Sequence, residues 1–205
     1  DSYGCGSGAS RLISGNMTLH EELEAKIAQF KNTEAALVFN SGFQANLGLL
    51  ATLAGEGDVI LSDALNHASI IDGCRLAKAQ TLVYGHCDLN GLEAALKQAA
   101  SARRRLIVTE TIFSMDGDEA PLREIVELAE KYDAMVMVDE AHGTGVIGAN
   151  GAGVVAKLGL ASRVLVQMGT LGKALGGFGA YVAGSRALRD LLINRCRSFI
   201  FTTSL

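Results

Sequence analysis

Apolar positions along this chain gather in short unbroken runs, and between the runs their spacing changes to that of helices. The runs predict strands over 36–39, 59–61, 81–84, 106–109, 135–138, 164–167 and 180–183. Helical spacing occupies 43–54, 66–78, 89–101, 121–132 and 185–195, and 150–160 carries a weaker helical pattern. A first helix is expected to run to Lys31, with Thr18 and Glu21 as a capping box and Leu23, Ile27 and Phe30 on one face. Continuous apolar runs, unlike alternating ones, suit strands covered on both faces. Strands separated by helices imply right-handed crossovers and a mostly parallel sheet. The expected fold class is therefore α/β, three layers α/β/α, with a sheet of about seven strands. Residues 1–16 are rich in Gly and Ser and lack either period, so the domain itself is expected over 17–205.

In such sheets ligands bind beyond the carboxyl ends of the strands, which makes the residues following each run the ones to inspect. Asn40-Ser41-Gly42-Phe43 opens a helix after the first run. A helix start offers free N–H groups to a phosphate, although an ordinary Ser cap reads the same way. His67 stands near the start of the next helix, where capping alone would also explain it. The stretch after Thr109 supplies Glu110 and Ser114. Asp139 closes a wholly apolar run, and His142 follows it. An aspartate there is costly to bury unless something cationic meets it, either a salt-bridge partner or a protonated heterocycle. The last such loop, 169–179, holds Thr170 and Lys173 among five glycines. A lysine placed between two buried strands is expected to lose hydration, which favours the neutral amine that Schiff-base chemistry needs.

Charge and cysteine content narrow the classes. The 205 residues carry a net charge of −4 with no basic block beyond Arg103–Arg105, which argues against a nucleic-acid surface. Cys5, Cys74, Cys87 and Cys196 have no framework spacing, so reduced thiols and a cytoplasmic setting are expected. No apolar run approaches a membrane span, and no membrane partner is expected.

Two motif matches fail on context. Val138-Asp139-Glu140-Ala141-His142 has the letters of a helicase acidic motif, but Gly172-Lys173 continues into Ala174 and makes no phosphate loop. Gly143, Gly145 and Gly148 match a dinucleotide fingerprint, but DEAH separates them from their strand and no acidic residue follows at the expected distance. Asp139 and His142 lack further ligands at metal spacing, so no metal is expected.

Taken together, a Schiff-base lysine, an acid for a ring nitrogen, a histidine for a ring face and a helix start for a phosphate describe a pyridoxal phosphate (PLP) site. Here the chain resembles the α-oxoamine synthases, PLP enzymes of fold type I with the class I/II aminotransferase fold. The resemblance rests on GSGASRLISG (6–15), LVFNSGFQAN (37–46), SDALNHASIIDG (62–73), FSMDGDEAPL (113–122), VDEAHGTGVIG (138–148), GTLGKALGGFG (169–179) and FIFTTSL (199–205). It implies that Lys173 bonds the cofactor and then moves protons, that Asp139 pairs with the pyridine nitrogen and that His67 stacks on the ring. It also implies that His142 and Ser114 lie near the phenolic oxygen, and that Ser41, Gly42, Phe43 and Thr170 hold the phosphate. Thr202 or Thr203 would reach the phosphate of a neighbouring subunit, as in a homodimer with shared sites. The implied reaction is a decarboxylative Claisen condensation of an amino acid with an acyl-CoA. Ser10-Arg11-Leu12 and Gly42 resemble the branch using L-alanine and a pimeloyl thioester, and a glycine-using branch is the alternative. By the same resemblance, this is the large domain, without the family's N-terminal segment and small C-terminal domain. A non-catalytic fragment or binding subunit is the reading from another class.

Overall fold

The computed structural model describes residues 3–205. In chain order the elements are α1 (Thr18–Phe30), β1 (Ala35–Phe39), α2 (Gly42–Leu53), β2 (Val59–Asp63), α3 (Ala68–Leu76), β3 (Gln80–Tyr84), α4 (Leu89–Gln98) and β4 (Arg105–Glu110). There follow α5 (Leu122–Lys131), β5 (Met135–Asp139), a 3₁₀ turn (Ala149–Gly151), α6 (Val154–Leu158), β6 (Val166–Thr170), β7 (Ala180–Gly184), α7 (Arg186–Arg195) and α8 (Arg197–Ile200). All seven strands form one sheet in the order β1-β7-β6-β5-β4-β2-β3. Only β7 runs against its neighbours, pairing antiparallel with β1 and β6. The α/β class and the mostly parallel, seven-stranded sheet are those the apolar runs predict.

Each face of the sheet is sealed by its own helices. Leu49, Leu50 and Leu53 of α2, Ile70 and Cys74 of α3, and Leu188 and Leu192 of α7 pack against Leu37, Leu106, Met137 and Val166 on one face. On the other face, Leu92 and Leu96 of α4, Ile125 and Val126 of α5, and Val154 and Val155 of α6 cover Leu61, Ile107, Val136 and Val138. A smaller cluster sets Ile27 and Ala28 of α1 over Ala36, Val38, Tyr181 and Ala183. Truncating any of the fully buried leucines to Ala would cost about 2–5 kcal/mol. That rigidity fixes the strand ends to which the site is attached.

Three local expectations need correction. Helix α1 has Met17, not Thr18, at its N-cap, and the Met17 N–H donates to His20 Nδ1 at 3.1 Å. Glu21 accepts instead from the Asn16 amide, so the Thr18–Glu21 box does not form. The weak helical region 150–160 divides into the 3₁₀ turn and α6, because Gly153 adopts φ +98 between them. A Cβ on Gly153 would also stand 2.6 Å from both Glu140 carboxylate oxygens. Strand β6 begins at Val166, two residues later than the apolar run, and extends to Thr170, which carries it into the glycine loop.

Candidate active site

The carboxyl ends of β4, β5 and β6 meet the starts of α2 and α3 around a cavity of about 210 Å³. Of the residues expected from sequence, Gly42, Phe43, His67, Asp139, His142, Thr170 and Lys173 line it together. Wider grooves of about 510 and 640 Å³ lie elsewhere. The smaller cavity is the one where titratable groups converge at strand ends, and the chemistry is assigned there.

Asp139 forms the floor. Its Oδ2 accepts from Asn46 Nδ2 at 2.9 Å, and its Oδ1 accepts from the Ala141 N–H at 2.9 Å. Both donors are neutral, and burial pushes the carboxyl above its ordinary pKa against those hydrogen bonds. Glu110, one strand over, is only 2% exposed. Its carboxyl is pushed up to about 7 by burial first and by the Asp139 charge second. It accepts from the His67 backbone N–H at 2.7 Å, which fixes the entry of α3. His67 is the N-cap of α3, and its Nδ1 lies 2.7 Å from Ser69 Oγ. Thus the capping reading of His67 is correct while its ring still borders the cavity.

Lys173 lies on the loop joining β6 to β7, with Nζ 2.7 Å from His142 Nε2. Burial, and then the neighbouring Lys173 charge, lower the His142 pKa, so the imidazole is neutral around pH 7. The loop is tied by Leu171 N–H to Gly179 O and Gly177 N–H to Leu171 O. Gly179 is at φ +93, and a Cβ there would meet Phe39 O at 2.8 Å. The expected desolvation of Lys173 is not found. Residues 172–178 are all exposed, because no element among the described residues covers that loop.

Several other expected residues do not reach the cavity lining. Ser41 caps α2, its Oγ accepting from Gln44 N–H at 3.2 Å. Ser114 is exposed on the loop between β4 and α5, outside the lining, because residues 114–117 turn outward after Phe113 is buried. Thr202 Oγ1 lies within 3.3–3.4 Å of the Asn40 and Gln44 side-chain amides, and Asn40 also donates to Thr203 O. Phe199 packs on Phe39 of its own chain, whereas Phe201 is 70% exposed. Sequence reasoning missed Asn46 and Ser69 and gave Glu110 no role. Asn46 sits at the fifth position of α2, one turn from Gly42, and that spacing is the signal that points it at the same site.

An acid buried among neutral donors, an amine beside an imidazole and a helix start thus come together at the strand ends of an α/β/α sheet. The chain belongs to the aminotransferase class I and II family, whose model matches residues 5–205. It is 59% identical over 203 residues to 8-amino-7-oxononanoate synthase of Geobacter sulfurreducens, covering 99% of this chain and 52% of that protein. Serine palmitoyltransferase from S. paucimobilis, solved with PLP and myriocin bound, superposes with a TM-score of 0.95 at 38% identity. That match covers 99% of this chain and 51% of the other. An 8-amino-7-oxononanoate synthase from Francisella tularensis gives a TM-score of 0.83 at 34% identity, over 100% of this chain and 57% of its own. The chain thus spans about half the length of the curated relatives it matches. None of its described helices is long and apolar enough to cross a membrane.

Proposed function

We propose that this chain is the PLP-binding large domain, over 17–205, of an α-oxoamine synthase of the 8-amino-7-oxononanoate type. The observation that carries the reading is Asp139: a buried carboxylate on the cavity floor, with no ion-pair partner among the described residues. A protonated pyridine nitrogen supplies the positive charge that this position favours. The first N–H groups of α2 have no intrahelical acceptor, and Gly42 and Phe43 bring them to the cavity wall, where a phosphate fits. The residues present therefore fit the cofactor. When bound, PLP supplies an electron sink for a carbanion at the amino-acid α-carbon.

The remaining work falls to this chain's own groups. Asp139 holds the proton on the ring nitrogen, Asn46 and Ala141 fix the carboxylate's direction, and His67 and His142 bound the ring. Lys173 would hold the cofactor through Nζ, its amine condensing with the aldehyde with loss of water, and would carry the α-proton there, with His142 Nε2 2.7 Å away to orient it. Thr170 adds a hydroxyl beside the phosphate. The proposed reaction, the one the family resemblance implies, joins L-alanine to pimeloyl-CoA with loss of CO₂ and CoA, and its product would be the 8-amino-7-oxononanoate for which the relatives are named. Leu175, Phe178 and Phe201 are exposed apolar side chains on or near the loops concerned. Their exposure favours a homodimer in which a second copy covers the Lys173 loop and Thr203 reaches the partner's phosphate.

The protein with PLP should absorb at visible wavelengths, and borohydride should then fix the label on Lys173. Titration with L-alanine should perturb the spectrum at lower concentration than glycine or L-serine. A label on another lysine sinks the site assignment. A preference for glycine or serine moves the chain to another branch of the family.

A further inference from the structure

A second cluster of reactive side chains lies outside the cavity, where the ends of β2 and β3 meet the loop between β4 and α5. Asp63 closes β2 and is 3% exposed. It accepts from the Leu65 and Cys87 backbone N–H groups, each at 2.9 Å. Its Oδ1 also lies 2.9 Å from His86 Nδ1. That contact fixes the ring, so Nδ1–H points at Asp63 and Nε2 points the other way. Three potential ligand atoms converge on the Nε2 side. Nε2 is 2.7 Å from Asp118 Oδ2 and 3.7 Å from Cys87 Sγ, and Sγ is 3.9 Å from Asp118 Oδ2. The ring is braced edge-on against Phe113, with centroids 4.4 Å apart. Asp118 Oδ1 is buried with no hydrogen-bond partner.

We infer that His86 Nε2, Cys87 Sγ and Asp118 form a three-ligand site for a borderline-soft divalent cation of the zinc type, with Asp63 as the carboxylate behind the histidine. Zinc at about 2.0–2.3 Å from N, O and S ligands in tetrahedral array sets those atoms about 3.3–3.6 Å apart. The two contacts to sulfur are already near that spacing. The His86–Asp118 hydrogen bond is shorter and opens when the metal takes the place of its proton. Coordination releases two protons to solvent, one from Nε2 and one from the thiol, and leaves a fourth position for water. A histidine ligand whose other nitrogen donates to a carboxylate is the usual arrangement at zinc. Cys87 reaches the cluster because its backbone is at φ +53, a left-handed position that turns the thiol back over the ring. Nitrogen, sulfur and oxygen donors together favour zinc or cobalt over magnesium or calcium. None of the four residues lines the cavity holding Lys173, so the cation would tie three strand ends together beside the loop that carries Ser114.

The test is titration of the intact holoenzyme with Co²⁺, followed by difference spectra. One equivalent should give tetrahedral d–d bands and a thiolate-to-cobalt charge-transfer band, and Zn²⁺ should abolish both. Cys87→Asn tolerates the left-handed backbone and should lose the charge-transfer band. Asp118→Asn, on an exposed loop, should weaken binding with the fold intact. Asp63→Asn, which removes no ligand, should weaken it by about 10–100-fold. A cobalt spectrum without the thiolate band, or one that survives Cys87→Asn, overturns the proposal. So does a cobalt-induced change confined to the PLP absorbance, which would place the metal at His142 and Lys173.

Discussion

Asp139 and Glu140 are adjacent and both buried, yet the chain surrounds their charges in opposite ways. Glu140 meets the Lys31 ammonium, which also bonds Ala152 O, and accepts from the Val155 N–H at 3.1 Å. Lys31 is wholly buried, and that burial lowers its pKa while Glu140 opposes the shift. Among the described residues Asp139 accepts hydrogen bonds only from neutral donors, and its carboxylate borders a cavity. A buried acid with its own lysine acts as a strut between α1, the β5 end and α6. A buried acid held by dipoles is a surface prepared for a cation from outside the chain. The comparison teaches that burial alone does not mark a functional charge; the identity of its partners does.

The comparison makes predictions of two kinds. The largest effect is on stability at the strut. Lys31→Met leaves the Glu140 charge buried and unpaired, and should destabilise by about 3–5 kcal/mol in chemical denaturation. Asp139→Asn should leave the unfolding midpoint nearly unchanged, because it removes an unfavourable charge and keeps the shape. It should reduce amino-acid α-proton exchange by about 10²–10³-fold or more, through the lost electrostatic partner. If the two variants exchanged these phenotypes, the roles would be reversed.

Gly153→Ala should destabilise by about 3 kcal/mol, since the residue is at φ +98 and the methyl would press on Glu140. Its cofactor binding should persist wherever the fold does.

The smallest effect is a pH slope. The Glu110 carboxyl is raised from its ordinary range to about 7 on folding. The native state therefore binds more protons than the unfolded state between roughly pH 4.5 and 7. Stability should fall as pH rises through that window, by on the order of 2 kcal/mol, and Glu110→Gln should flatten the slope. A stability that rises with pH in both proteins contradicts the assignment.

Much of the frame was legible because short apolar runs have few ways to be buried. The end of such a run located Asp139, and glycine density located the Lys173 loop. The missed features are pairings between distant segments. Asn46 reaches Asp139 across 93 positions, and Lys31 reaches Glu140 across 109. Helical spacing puts Asn46 one turn from Gly42, but local pattern names neither distant partner. Exposure misled in the same way. Two strands flank Lys173, but whether anything lies above the loop depends on what covers that face. Ser114 stands in a motif that resembles the family's, yet the backbone turns it outward. The Thr18 cap failed because His20, two residues on, offers a better acceptor to Met17 N–H.

The central claim is that Asp139 keeps a cofactor ring nitrogen protonated. Its most direct test is the ¹⁵N resonance of the pyridine nitrogen in protein loaded with labelled PLP at neutral pH. A protonated nitrogen in the unmodified protein that becomes unprotonated in Asp139→Asn is the result expected. An unprotonated nitrogen in the unmodified protein, or a resonance that ignores the substitution, would contradict the account.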